Sequence, residues 1–326
     1  MKRTTAAAVI GGGLATMAAG YLAKQRVHRE RTGTDPMAGD AVWFDLDTIG
    51  VEHHRIPSHD GGVLHVVEKG PEDARPILLL HGITLQARIW GYQFRDLSDR
   101  YRVLAADLRG HGESTVGTDG FGLDRIARDV ATTLEALDLR GAIVVGHSMG
   151  GMATMQFAGD HPDVIAERVA GLGFVATTPI VPFPAAIQRL VVRAGAGRSF
   201  DRVPSYRFRP GDASYAMARR AFGRDPVPLH VEVTRECLAD CPPVTMFGSG
   251  FGMAAHDAEA ALRLTRTPSL VVGGALDRLL PPAMTRRIAD LLPDSELHVL
   301  DGCGHQIMLE RPKELADLLD RFASRL

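Results

Sequence analysis

A serine in this sequence stands where covalent acyl chemistry would need it. The stretch VVGHSMGG places Ser148 between Gly146 and Gly150 in the pattern G-x-S-x-G, after an apolar run and before the helical MATMQFAGDH. A sharp strand-to-helix turn lifts the hydroxyl clear of the backbone, and small residues two positions away on each side avoid steric collision. The following helix N-terminus adds free N–H groups and a positive dipole end. We predict that Ser148 is a nucleophile; a glycine-rich turn without chemistry is the alternative.

A serine hydroxyl is a weak nucleophile and needs a base. His305, in LDGCGHQ, is the only one of the thirteen histidines at a late strand end after Ser148, and we predict that it is the base. His147 is expected to point elsewhere in the turn. Four earlier histidines are expected to be surface residues: His53, His54, His59 and His65.

The base needs a carboxylate that orients the imidazole and stabilises its charged form. Asp277, in VVGGALDRLLPP, ends the strand before that of His305, so their loops should be neighbours. The other interpretation of Asp277 is a helix-capping or turn aspartate. Two backbone N–H groups are predicted to bind the oxyanion, that of Met149 directly after the serine and that of Ile83 in the loop after ILLL. His81, in the same loop, is expected to be structural.

These residues must be positioned by strands, and the sequence supplies a regular series of them. Short, continuous apolar runs end in small, polar or charged residues at 63–70, 76–82, 102–110, 142–148, 168–176, 268–277 and 296–305. Continuous runs are typical of strands that are buried on both faces of a parallel sheet. Between them, LDRIARDVATTLEAL has its apolar residues at helical spacing. Alternating strands and helices predict an α/β fold with its site beyond the carboxyl ends of the strands.

The chain divides into five segments on composition. Residues 1–23 are predicted to be an anchor or tail, and residues 24–50 a linker. The α/β core is predicted in two parts, 51–177 and 263–326. Residues 178–262 are proline-rich and lack a clear strand, which predicts a helical cap inserted between two strands.

The N-terminal segment bears on where in the cell the protein is located. Residues 4–23 are uncharged and lie between Lys2-Arg3 and a basic stretch that begins at Lys24. Their number, twenty, suits a helix that spans a bilayer, although alanine and glycine dominate. A membrane anchor, a cleaved signal peptide and a peripheral tail are the three interpretations. A spanning segment with more positive charge after it favours a cytoplasmic catalytic domain. The VIGGG motif is not a dinucleotide loop, because Thr16 stands where the third glycine should be.

Composition excludes some classes of protein. Apolar residues make up 45% and charged residues 23% of the 326 residues, as in a folded globular protein. The net charge of −2 gives no reason to expect a nucleic-acid partner. Three cysteines are too few for a disulfide framework, and Cys237 and Cys241 lack the spacing of zinc ligands.

Taken together, the motifs resemble the α/β-hydrolase superfamily over residues 50–326. The resemblance rests on HG at 81–82, DLRGHGES at 107–114, GHSMGG at 146–151, Asp277, and GCGH at 302–305. It implies an eight-stranded, mostly parallel sheet flanked by helices, with a Ser148–His305–Asp277 triad. It also implies acyl-enzyme chemistry without a metal or organic cofactor, and a structural role for the 107–114 loop.

The type of nucleophile limits which reactions the protein could catalyse. A serine in place of an aspartate argues against epoxide hydrolases and haloalkane dehalogenases, and GHSMGG resembles esterases and monoacylglycerol lipases. We therefore expect a carboxylic-ester hydrolase acting on a small-molecule or lipid-like ester. A C–C bond hydrolase, a cofactor-free haloperoxidase or perhydrolase, and a non-catalytic binder are the alternatives. Residues 189–224 carry nine arginines, either as a solvated face or as a contact for anionic lipid. The sequence leaves the oligomeric state open.

Overall fold

A computed structural model describes residues 23–181 and 210–326 of the chain. At its centre lies one sheet, built from β1 (Glu52–Pro57), β2 (Val63–Lys69), β3 (Pro76–Leu80), β4 (Arg102–Asp107), β5 (Ala142–His147), β6 (Val169–Val175), β7 (Ser269–Gly274) and β8 (Ser295–Leu300). The spatial order is β1-β2-β4-β3-β5-β6-β7-β8. β2 is antiparallel to β1 and β4, and the other neighbouring pairs are parallel. The predicted mostly parallel, eight-stranded sheet is confirmed.

Helices cover the sheet. They are α1 (Leu46–Ile49), α2 (Gly91–Leu97), α3 (Leu123–Ala136), α4 (Met149–Asp160), α5 (Pro162–Arg168), α6 (Asp212–Arg219), α7 (Pro228–Asp240), α8 (Pro243–Met253), α9 (Glu259–Leu264), α10 (Pro282–Leu291), α11 (Ile307–Glu310) and α12 (Pro312–Ala323), with 3₁₀ turns at Ala38–Phe44 and Ala87–Trp90. Successive side chains of a strand point to opposite faces. Ile77 and Leu79 of β3 therefore join one apolar cluster and Leu78 and Leu80 another. The sheet is buried on both faces, as its continuous apolar runs predict.

β1 is the strand that no apolar run predicts. In EHHRIP only Ile56 is buried, because the strand lies at the edge of the sheet and pairs with β2 alone. An edge strand with one solvated face alternates polar and apolar residues, so a search for continuous runs misses it.

His65 on β2 corrects the expectation of a surface residue. Only 2% of its surface is exposed, and its Nδ1–H donates to Oδ2 of Asp107 at 2.7 Å. The partner lies 42 residues further along the chain, at the end of β4. The sequence around His65 carries no sign of this pairing.

The predicted linker, residues 24–50, differs from an irregular connection. It is helical up to residue 32 and then forms the turn Ala38–Phe44 and helix α1. Arg219 of α6 donates to Glu30 at 3.0 Å, and Arg31 donates to Asp212 at 2.7 Å. Glycine and proline content alone did not reveal that the charged side chains of this segment have partners on α6.

Helices α6 to α9 lie between β6 and β7, where the sequence predicts the cap. The two ends of the insertion meet, since Ile180 pairs with Asp257 and the N–H of Ala258 donates to the carbonyl of Pro179. Residues 182–209 of the predicted cap lie outside the described residues. The predicted anchor, residues 4–23, also lies outside them except for Ala23. Within the described ranges, no helix combines the length and apolar character that a membrane span requires.

Candidate active site

Ser148 occupies a strained turn between β5 and α4. Its φ of 52° and ψ of −116° are values that non-glycine residues rarely adopt. Its N–H donates to the carbonyl of Val175 at 3.0 Å, and the hydroxyl of Thr177 donates to its carbonyl at 2.7 Å. Such strain persists where the surroundings hold it, and it is common at functional sites.

The glycines around Ser148 are required by close approach of the backbone. A Cβ on Gly146 would lie 2.3 Å from the carbonyl oxygen of Gly150, and a Cβ on Gly150 would lie 2.4 Å from that of Leu80. These separations are too short for any side chain. The G-x-S-x-G spacing therefore has the steric cause that the sequence predicts.

His305 and Asp277 form a buried pair at the ends of β8 and β7. The Nδ1–H of His305 donates to Oδ2 of Asp277 at 2.7 Å. The other carboxylate oxygen of Asp277 accepts from the N–H groups of Leu279 and Leu280 at 2.8 and 2.9 Å. With the proton on Nδ1, the Nε2 atom of His305 is free to act as a base.

The loop of His305 is attached to the end of β5 through His147. The Nε2–H of His147 donates to the carbonyl oxygen of His305 at 3.0 Å, and the two rings are 4.8 Å apart. Complete burial, reinforced by neighbouring His305, lowers the pKa of His147 well below its ordinary value. His147 is therefore a neutral donor. In the sequence, only the position of His147 next to Ser148 pointed to a role in the site.

Ser148 and His305 are not yet hydrogen-bonded to each other in the described part of the chain. In the described residues, no hydrogen bond joins the Ser148 hydroxyl to His305. Catalytic hydrogen bonds are often long in the absence of substrate and shorten when it binds. The structure thus brings His305 together with Asp277, and the serine–histidine contact stays a prediction.

The two predicted oxyanion donors remain available. Neither the N–H of Met149 nor that of Ile83 has an acceptor among residues 23–181 and 210–326. The loop of Ile83 approaches the serine closely, because a Cβ on Gly82 would lie 3.0 Å from Cβ of Ser148. His81 braces this loop, since its Nδ1–H donates to the carbonyl of Gly82 and its Nε2 accepts from the N–H of Leu108.

Glu310 is a residue of the site region that sequence reasoning missed. Its two carboxylate oxygens accept from the N–H groups of Gly304 and Gly223, at 2.9 and 2.7 Å. Burial raises the pKa of Glu310 above its ordinary value. The N–H of His305 also donates to the carbonyl of Ala221 at 2.7 Å. Glu310 thereby joins the loop of His305 to the segment after α6.

Comparison with known proteins agrees with this geometry. The sequence model described as the alpha/beta hydrolase fold matches residues 75–312. The chain belongs to the α/β-hydrolase fold family. The match covers the sheet from before β3 to after β8, and so includes Ser148, Asp277 and His305.

Individual members of the α/β-hydrolase family resemble the chain to different extents. A solved esterase from Thermogutta terrifontis is 26% identical, with a TM-score of 0.72 over 84% of this chain and 98% of that one. A protein of Caulobacter sp. (strain K31) named as a carbamate hydrolase, RutD, is 27% identical over 81% of this chain and 96% of its own. A non-heme chloroperoxidase of Streptomyces lividans is 40% identical over 116 residues, 35% of this chain and 42% of that protein. These relatives support a hydrolase that acts on a small molecule.

Proposed function

We propose that this α/β hydrolase is a serine esterase that cleaves carboxylic esters of acyl or lipid-like substrates. The observation that carries the proposal is the 2.7 Å hydrogen bond between His305 and Asp277, on a loop that His147 joins to the strained turn of Ser148. An activated serine requires an oriented imidazole, and this pair supplies one. The similarity to a thermophilic esterase supports the ester as the bond that is cleaved.

The proposed mechanism uses the same groups in both half-reactions. The Ser148 hydroxyl attacks the ester carbonyl while Nε2 of His305 takes its proton, and Asp277 stabilises the resulting imidazolium. The N–H groups of Met149 and Ile83 bind the oxyanion, each contributing on the order of 10²–10³ in rate. His305 then protonates the leaving alcohol. Water attacks the acyl-enzyme by the same route and releases the carboxylic acid.

Ester hydrolysis and active-site labelling test this proposal together. We expect turnover of p-nitrophenyl esters with an optimum between C2 and C16 acyl chains, and labelling by a fluorophosphonate probe. Ser148→Ala should remove the labelling and lower kcat by about 10⁴–10⁶. Ser324→Ala, which removes an exposed hydroxyl of the C-terminus, is the matched control. A folded wild-type protein that neither takes the probe nor cleaves any ester would refute the esterase.

A second candidate is cofactor-free perhydrolysis, which the chloroperoxidase similarity favours. In it, hydrogen peroxide replaces water, attacks the acyl-enzyme and leaves as a peracid, while Ser148 recovers its proton through His305. The peracid then oxidises halide to hypohalite and returns to the carboxylic acid. Halogenation of monochlorodimedone that requires acetate, peroxide and Ser148 would support this activity. Halogenation that persists in Ser148→Ala would exclude it.

We also propose that residues 4–23 attach the enzyme to a membrane, with the catalytic part on the cytoplasmic side. The uncharged length of this segment and the basic residues after it support the proposal. Membrane fractionation of the full chain and of a variant lacking residues 4–23 tests it. The full chain should sediment with membranes and the shortened chain should not. Equal recovery of both in the supernatant would contradict the proposal.

A further inference from the structure

Two aspartate–histidine pairs face each other at the edge of the sheet, on β1 and β2. In the first pair, buried His65 donates its Nδ1–H to Oδ2 of Asp107 at 2.7 Å. Asp107 is anchored by the N–H groups of Ala87 and Glu113. With its proton on Nδ1, His65 presents the lone pair of Nε2. A buried carboxylate of this kind fixes the tautomer of metal-binding histidines.

The second pair is a contact at the surface, where the carboxylate of Asp47 is mostly exposed. His53 on β1 has its Nε2 at 3.1 Å from Oδ1 of Asp47, and its Nδ1 at 2.9 Å from Nε2 of His65. With the proton of His65 on Nδ1, the Nδ1–H of His53 donates to the lone pair of His65 Nε2. A metal ion would take the place of that shared proton. Either a shared proton or a metal ion satisfies the arrangement.

A carboxylate completes the cluster. The ligand atoms of Glu113, His53 and His65 all lie within 4.8 Å of one another. They border a cleft of about 490 Å³ that leaves room for water ligands. Its charged lining is mostly acidic, with Asp45, Asp47, Asp107, Glu113 and Asp240 against Arg88. This balance of charge favours a cation.

We propose that His53, His65 and Glu113 bind a divalent transition metal, with Zn²⁺ as the ion of best fit. Two imidazoles and one carboxylate suit zinc, whereas calcium and magnesium prefer oxygen ligands. Two nitrogens of a tetrahedral zinc site lie about 3.3 Å apart. The two rings face each other end to end at 2.9 Å, so the exposed ring of His53 has to turn aside until both lone pairs converge on the ion. Water completes the coordination.

The site is separate from the proposed triad and joins three pieces of chain. Its ligands come from β1, β2 and the 107–114 loop, which are remote in sequence. A metal here would fasten the edge strand to the body of the sheet. A second cluster, His59, Asp60 and Asp119, is less suited to a metal, because Arg109 already neutralises Asp60 at 3.0 Å.

One arginine opposes the metal. The guanidinium of Arg55 forms an ion pair with Oε2 of Glu113 and competes for that carboxylate. Removal of Arg55 should therefore tighten zinc binding, by about two- to fivefold, the effect of one exposed ion pair. An increase in affinity on loss of a side chain distinguishes a specific site from general damage to the fold.

Zinc titration of the full chain tests the proposal, with a chromophoric chelator as competitor and thermal unfolding as a second readout. We expect one Zn²⁺ per chain and a raised Tm. His53→Ala and Glu113→Gln should each weaken binding at least tenfold, Asp47→Asn about tenfold, and Arg55→Gln should tighten it. His54→Ala is the matched control, because His54 lies on the same strand and contacts Glu68 on the other face.

Two outcomes would overturn the site. One is zinc affinity weaker than about 1 mM, and the other is the same affinity in His53→Ala as in the wild type. The titration is repeated in Ser148→Ala, so that it does not depend on ester hydrolysis. Zinc bound through His305 would survive His53→Ala and would be lost in His305→Ala.

Discussion

At the scale of single residues, Asp277 has two separable tasks. One carboxylate oxygen accepts the N–H groups of Leu279 and Leu280 and so shapes its loop, while the other holds the proton of His305 on Nδ1. Asp277→Asn keeps an oxygen for the loop but offers an NH₂ group to the imidazole. We expect the wrong histidine tautomer and a fall in kcat of about 10⁴, with little change in KM.

Steady-state kinetics with a p-nitrophenyl ester measure this effect. Asp301→Asn serves as the control, because Asp301 is exposed and its side chain contacts no group of the triad. A fall of less than tenfold in Asp277→Asn, with an unchanged Tm, would remove Asp277 from the proposed mechanism.

His147 is expected to act as a positioning residue through the loop of His305. His147→Phe keeps the aromatic volume and removes the Nε2–H that the carbonyl of His305 accepts. The loss of one buried hydrogen bond, about 1–1.5 kcal/mol, predicts a kcat lower by about tenfold and an unchanged KM. Fluorophosphonate labelling should be slower but complete. Wild-type labelling kinetics in the variant would show that His147 only fills space.

Whether the sequence predicts the role of a residue depends on where its hydrogen-bond partners lie along the chain. Ser148, Asp277 and His305 each end an apolar run, so neighbouring strands bring them to one edge of the sheet. The roles of His65 and Glu310 depend on partners from distant loops, Asp107 and Gly223, which no local pattern relates to them.

At the scale of elements, the linker segment and the cap are expected to stabilise each other. Glu30 and Arg219 are about one-fifth exposed and 3.0 Å apart, and the Tyr215 hydroxyl also donates to Glu30. A double-mutant cycle with Glu30→Gln and Arg219→Gln should give a coupling of about 1 kcal/mol in the free energy of unfolding.

A second ion pair in the same interface provides the control. Arg26 and Asp225 lie 3.8 Å apart and are mostly exposed, so their cycle should give a coupling near zero. Urea unfolding of the wild type and the six variants measures both cycles. Equal couplings in the two cycles would contradict a packed interface between the linker segment and α6.

The fold itself was predictable wherever burial is two-sided. The central strands read as continuous apolar runs because helices cover both faces, and α3 shows its buried face at helical spacing. The apolar pattern did not predict β1 or the linker segment, because an edge position determines the structure of β1 and ion pairs determine that of the linker segment. Neither property leaves an apolar pattern.

At the scale of the whole molecule, histidines buried in neutral form set the response to acid. Burial lowers the pKa of His230 and of His256 to about 4 and that of His111 to about 3. His230 lies against Tyr92, and His256 lies against the carbonyl of Thr178. These histidines lie far apart along the chain, so protonation weakens the cap and the core together.

The sign of the effect follows from proton uptake. In the unfolded chain a histidine binds its proton near pH 6.5, but folded His256 does so only near pH 4. Between these values the unfolded state holds more protons, so stability falls as the pH decreases from 6.5 towards 4. At pH 5 the loss is about 2 kcal/mol for a group with these two pKa values.

We therefore expect the free energy of unfolding to fall steeply between pH 7 and pH 5, and to fall less in His256→Gln. The glutamine amide can still donate to the carbonyl of Thr178, but it cannot take up a proton in the unfolded chain. Urea unfolding at the two pH values measures the slope, with His161→Gln, at a partly exposed site, as the control. His256→Gln should lose about 1–2 kcal/mol less than the wild type on acidification. Since linkage depends only on the difference between folded and unfolded pKa values, an identical slope in the two proteins would mean that His256 titrates normally and is not held neutral by burial.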